Sequence, residues 1–342
     1  MRVRLTIAAT CVAFWATGAA AFELRSKGLT CGGHEWLSVQ AARSAGIDAK
    51  YNSSLEFGAR YVDLGGMTVS KDWFFGHMKE EVHRGPGVSH NHFCLRGGAS
   101  DLPDLIRDAA ARIKYLLERA VETPGDRKVE LLDGGTVAPT QEKAHARYTL
   151  LGAALHTVQD SFAHGYRTPT AGKAPLSEAA FKDKGLYLRI QKAVLVPEPK
   201  PGTLKHNHVY DAKDGSPHKS DQTFNTGACQ VKKSLGLHDL QPHAFAAYLA
   251  SRDFLLVFKA AAAGDKAWPQ KLDAFMGRWF ADAQGKFAGY GHEYGQCASR
   301  GNCKRRLIPG EPGYVPLKSP GRKVADGAKK LAKQAKAKVT PK

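Results

Sequence analysis

Apolar residues recur at three- and four-residue intervals in five stretches of the chain, and each stretch predicts a helix. Residues 34–51, "HEWLSVQAARSAGIDAKY", place Trp36, Val39 and Ala42 near one face. Residues 101–122 carry Leu105, Ile106, Ala109, Ile113, Leu116 and Leu117 as a buried stripe. A third helix is expected from about Gln141 to Gly165. A fourth covers 239–263 with Asp239 as its N-cap, and a fifth follows Trp268 to residue 291 with Leu272, Phe275, Trp279 and Phe280 at helical spacing. No set of alternating strands stands out. Two long stretches break the pattern: residues 65–100, rich in Gly and His, and residues 197–227, with "PEPKPG" and "DAKDGSP". Loops of that length are functional or disordered as a rule. The expected fold is mostly α, a single helical-bundle domain with two long irregular loops.

Both ends depart from this pattern. Arg2 and Arg4 precede "LTIAATCVAFWATGAAAF", an apolar run that ends in small residues. That is the layout of an export signal over residues 1–21, cleaved after Ala21. The run is short and alanine-rich for a membrane span, and no second one follows. The expectation is an exported protein, periplasmic or secreted, with no transmembrane helix in the mature chain. Removing the signal leaves Cys31, Cys94, Cys229, Cys297 and Cys303. An oxidising compartment favours disulfides, and the odd number leaves one thiol over. Cys297 with Cys303 can close a small loop, and Cys31 with Cys94 is a second candidate pair.

The formal net charge of +18 is concentrated at the C-terminal end, where residues 304–342 hold twelve Lys and Arg against Glu311 and Asp326. This stretch reads as a disordered basic tail, attracted to lipid headgroups or to nucleic acid. Three segments result: a signal (1–21), a helical domain (22–303) and the tail (304–342). With 43% hydrophobic residues the middle segment can bury a sizeable core.

There is no Gly-rich phosphate loop, no thiolate metal knuckle and no "GxSxG" elbow, so a serine hydrolase has no support. What the sequence does offer is "LGAALHTVQDSFAHGY", residues 151–166, where His156, Asp160 and His164 follow one another at four-residue steps. On a helix these lie within roughly 80° of one face. Leu155, Val158 and Phe162 around them mark a buried segment, and a buried imidazole or carboxylate needs a partner. One solution is a ladder of His–Asp hydrogen bonds. The other is a metal, because imidazole and carboxylate at i, i+4 are good zinc ligands. Further candidate ligands are His34, Asp63, His77, His90, His92, His206, His208 and Asp211.

The order His34, Asp63, a following His, "HTVQDSFAH" and a later His/acid pair resembles the zinc-dependent phospholipase C and S1/P1 nuclease superfamily, closest to its Het-C-like branch. The resemblance spans residues 34–260 in outline. It implies a helical bundle holding two or three zinc ions that hydrolyse phosphodiester bonds. By position, His156 and Asp160 would bind one zinc with Asp63 and either His77 or His92. His92, in "HNHFC", is favoured. Asp160 would bridge to a zinc held by His34, and His164 would begin a further site with His208 and Asp211. Asp63 would be the general base. The substrate expected first is phospholipid, with a nuclease as the alternative. A third reading is a non-catalytic, metal-stabilised helical protein tethered by its basic tail.

Overall fold

The first helix begins where the periodicity places it and stops seven residues earlier. In the computed structural model, which describes residues 33–64, 93, 95–96, 102–133, 143–163, 165–168, 189–193, 195–196, 236–291 and 307–318, α1 spans Gly33–Ser44. It ends at Gly46, whose φ is 67°. The Gly46 N–H donates to Arg43 O at 3.0 Å and the Ile47 N–H to Ala42 O at 2.9 Å. This paired closure needs a left-handed residue after the helix, which glycine takes at little cost. Lys259 adds its ammonium to the Ala45 carbonyl at 2.7 Å, a cation at the negative end of the helix. The chain then turns through a 3₁₀ segment, Ala49–Tyr51, into α2, Asn52–Leu64. The expected helix over 34–51 is therefore two elements, and α2 was not among the five anticipated. Trp36 and Val39 are only half-buried. The buried face of α1 runs through His34, Leu37, Ser38, Ala41 and Ala42 instead.

The remaining helices are α3 (Leu102–Glu122), α4 (Ala146–Ala163), α5 (Pro242–Ala262) and α6 (Trp268–Trp279). The predicted stripe of α3 is buried throughout. The N-cap of α5 is Gln241 rather than Asp239. Asp239 closes a short 3₁₀ segment, Leu237–Asp239, and Pro242 supplies the pre-set φ of the first helical turn. At the end of α6, Phe280 is the C-cap and is fully buried.

Every residue of α4 except Arg147 is buried. α4 packs against α2, α3 and α5, while α1 packs on α2 and α5. A helix enclosed on all sides has no polar face to give to solvent. Any polar side chain on it must be satisfied by the neighbouring helices.

Nine short strands decorate this bundle among the described residues. β1 (Leu95–Arg96) runs parallel to β7 (Leu195–Val196), and β3 (Leu132–Asp133) runs parallel to β9 (Leu317–Lys318). β2 (Lys128–Glu130) is antiparallel to β4 (Lys143–His145). β6 (Arg189–Ala193) lies between antiparallel β5 (Gly165–Thr168) and parallel β8 (Ala281–Asp282). The longest has five residues, too few to print an alternating pattern on the sequence. The fold is a mostly α single domain.

One boundary moves. The basic tail was expected to begin at Lys304, but residues 307–318 belong to the fold. Ile308 is 3% exposed and joins the core, Glu311 Oε2 accepts the Ile308 N–H at 2.6 Å, and Leu317 pairs in β9. Averaging charge over the segment hid these apolar anchors. Residues 319–342, the signal segment, all six cysteines, the second irregular region and most of the first lie outside the described residues. Among the described residues no helix is long and apolar enough to cross a membrane.

A pH response follows from the α2–α4 flank. Tyr51 stacks on Tyr148 with ring centroids 3.7 Å apart, and burial pushes the Tyr148 phenol up to about 12. An unfolded tyrosine ionises near ~10. Between those values the unfolded chain has lost a proton that the folded chain keeps, so stability falls as pH rises through the window. Tyr148→Phe should flatten this decline relative to stability at neutral pH, measured by denaturant melts at stepped pH. An unchanged slope would assign the decline to other groups.

Candidate metal centre

Three of the residues singled out in the sequence converge in the core. His34 is the second residue of α1, and His156 and Asp160 stand one turn apart on α4. All three are completely buried. Asp160 faces both histidines: Oδ1 lies 3.2 Å from His34 Nε2 and Oδ2 lies 2.9 Å from His156 Nε2. The two imidazoles stack with centroids 4.0 Å apart and planes 29° from parallel. One donor atom from each residue falls within 4.8 Å of the others.

A fourth residue fixes the first. Gln159, also fully buried, accepts from His34 Nδ1 through Oε1 at 2.7 Å. Its amide nitrogen donates to Ser38 Oγ at 3.0 Å and to Ser251 Oγ at 3.3 Å. The amide of α4 thus ties together α1 and α5. With the proton on Nδ1, a neutral His34 turns the lone pair of Nε2 toward the Asp160 carboxylate. Two acceptors facing each other across 3.2 Å are reconciled by a cation between them, either a proton or a metal ion.

Two imidazoles and a carboxylate are a donor set that a metal ion can use, with donor atoms 3.2 Å apart between His34 and Asp160 and 2.9 Å apart between His156 and Asp160. The outward hydrogen bond from His34 Nδ1 is the kind that orients metal-bound imidazoles. This buried group can hold a metal ion.

The remaining expected ligands are not assembled among the described residues. Asp63 is the penultimate residue of α2, but its side chain lies outside them. His77, His90, His92, His164, His206, His208 and Asp211 also lie outside them.

Three buried arginines contact Glu35, Thr157 and Ser161, the residues that follow His34, His156 and Asp160 in the sequence. Glu35 and Arg60 pair between α1 and α2 at 3.8 Å, both nearly inaccessible. Arg112 of α3 donates from Nε to Thr157 Oγ1 at 2.9 Å, beside His156. Arg167, in β5, donates from Nε and Nη2 to the carbonyl and hydroxyl of Ser161, and from Nη1 to the Trp279 carbonyl. Its guanidinium lies 3.9 Å over the Phe162 ring. Burial pulls its pKa down to about 9, which still leaves it charged at neutral pH.

Sequence reasoning did not single out Gln159, Ser38 or Ser251. Gln159 was visible in principle, three residues from His156 and next to Asp160. The two serines carry no sequence signal, because only the packing of α1 and α5 brings them to the amide.

No family model, curated protein or solved structure matches the chain.

Proposed function

We propose that the protein is a zinc-dependent phosphodiester hydrolase of the phospholipase C type. The observation that carries this reading is the buried His34–Asp160–His156 group, a thiolate-free donor set held by two helices. His34, His156 and Asp160 would hold metal. The two Asp160 oxygens, each toward a different imidazole, suit a carboxylate shared between ions. Zinc supplies Lewis-acid polarisation of a phosphoryl oxygen and brings the pKa of water down to about 7. The chain's own part is to orient the ligands and to hold them away from bulk water. Asp63, at the end of α2, is the proposed general base. Two or three ions are proposed, with His92 (or His77), His164, His208 and Asp211 completing the set.

Phospholipid is the proposed substrate class, because the basic C-terminal residues suit an anionic lipid surface. A nuclease activity is the alternative for the same tail, and it predicts steep salt dependence. Export to the periplasm or medium belongs to this reading.

The test is zinc per chain by elemental analysis, on protein purified without chelator, beside Asp160→Asn. The carboxamide removes the negative charge at nearly unchanged volume. Wild type should carry at least two zinc ions and hydrolyse a small soluble phosphodiester. The variant should lose most of the metal and at least 100-fold in rate. Wild-type protein without bound metal would leave the group as a hydrogen-bonded core cluster and end the enzymatic reading.

A further inference from the structure

We infer that Gln159 is a positioning residue for the metal centre, one that selects which nitrogen of His34 faces the site. This rests on the metal reading above. The amide bridges three helices: α4 carries it, α1 supplies His34 and Ser38, and α5 supplies Ser251. Serine hydroxyls donate as readily as they accept. The amide would therefore be satisfied by its two serines in either of its orientations, and its choice is read only at His34. With Oε1 toward Nδ1, the imidazole proton sits on Nδ1 and Nε2 offers a lone pair beside Asp160 Oδ1. Turned by half a rotation, the amide would donate to Nδ1. The proton would then sit on Nε2 and bond Asp160, closing the site to a metal. The orientation present is the one that leaves Nε2 as a ligand.

Two substitutions at this position separate a ligand-orienting role from a packing role. Gln159→Met keeps the volume and suits an apolar core, but offers no acceptor to Nδ1. Gln159→Glu keeps the acceptor and cannot donate to Nδ1, while adding a buried charge. Packing alone ranks Met above Glu in every property. The orienting role predicts opposite rankings: Glu is the less stable without metal, yet it binds metal as wild type does.

The experiment is cobalt(II) titration of the chelator-treated full-length protein, followed by its visible absorption bands, with denaturant melts of each metal-free variant. Wild type and Gln159→Glu should agree in affinity within about threefold. Gln159→Met should be weaker by ten- to a hundredfold, as for lost partners of metal-bound histidines, with altered bands. If Gln159→Met does not fold, Ser38→Ala/Ser251→Ala reads the same contact with residue 159 intact. Freed of its two anchors, the amide should hold His34 less well, and affinity should fall severalfold. Cobalt affinity equal to wild type in Gln159→Met, or in the serine pair where Met does not fold, would overturn the inference and leave the metal reading standing. So would losses that follow the stability ranking. No cobalt binding by wild type would overturn both.

Discussion

Gly152→Val is expected to abolish folding, and Gly152→Ala to cost about 3 kcal/mol, the upper part of the range for overpacked cores. A Cβ at Gly152 would sit 2.2 Å from the Leu55 carbonyl oxygen and 2.8 Å from the Ala59 nitrogen. One at Gly58 would sit 2.1 Å from the Thr149 carbonyl oxygen. The obstacles are backbone atoms of the facing helix, which cannot swing aside as a side-chain tip can. Only the absence of side chains at these two positions lets α2 and α4 approach so closely. Separating them would move α2 away from the helix that carries His156 and Asp160, so under the proposed metal reading metal binding should weaken along with stability. Gly277→Ala is the control. It lies on α6 with nothing within 4 Å of where the added methyl would stand, so it should gain about 0.5–1 kcal/mol from helix propensity. Denaturant melts of the three variants check the contrast. Comparable losses at Gly152 and Gly277 would mean that helix-wide backbone effects, not the crossing, set the cost.

The second large effect is expected at Arg167. Its guanidinium reaches the carbonyl of Ser161 in the last turn of α4 and that of Trp279 at the end of α6. Both are the negative ends of helices, where a cation is favourable. Arg167→Met removes three charge-assisted hydrogen bonds at once and buries their acceptors. A loss of about 3–5 kcal/mol is expected, at roughly 1.5–3 for each bond to a charged donor, reduced by relaxation. Arg167→Lys keeps the charge but carries a single nitrogen that cannot fork between two helix ends, so it should recover less than half. Chemical denaturation gives both values. Under the proposed metal reading the same variants should also weaken metal binding, because Arg167 holds Ser161, the residue next to Asp160. Full recovery by lysine would mean that charge alone is what the site requires.

These two effects mark the division between what the sequence carries and what it does not. A helix announces itself through local spacing, so α3 was legible down to its buried stripe: its apolar face repeats along 21 residues. α1 was misread at its end because Gly46 is one residue inside an otherwise helical pattern. Its stop depends on a left-handed φ and on Lys259, which is distant in sequence. α2 was missed although Leu55, Ala59 and Val62 recur along it at helical spacing. The strands were invisible at two to five residues each.

The candidate site divides in the same way. His156 and Asp160 were found by their four-residue step, since the geometry of one helix converts spacing into proximity without help. That His34 meets them was reached by resemblance, and the fold supplies the distance. Gln159 as the bridge, Ser38 and Ser251 as its anchors, and Arg167 as the clasp across two helix ends were decided by tertiary structure alone. The sequence by itself located five of the six described helices and the His156–Asp160 step on one of them, because hydrogen bonding along a helix is local. Which polar groups satisfy one another inside the core depends on how closely α1, α2, α4 and α5 pack, and contacts between residues over a hundred positions apart leave no periodic trace in the chain.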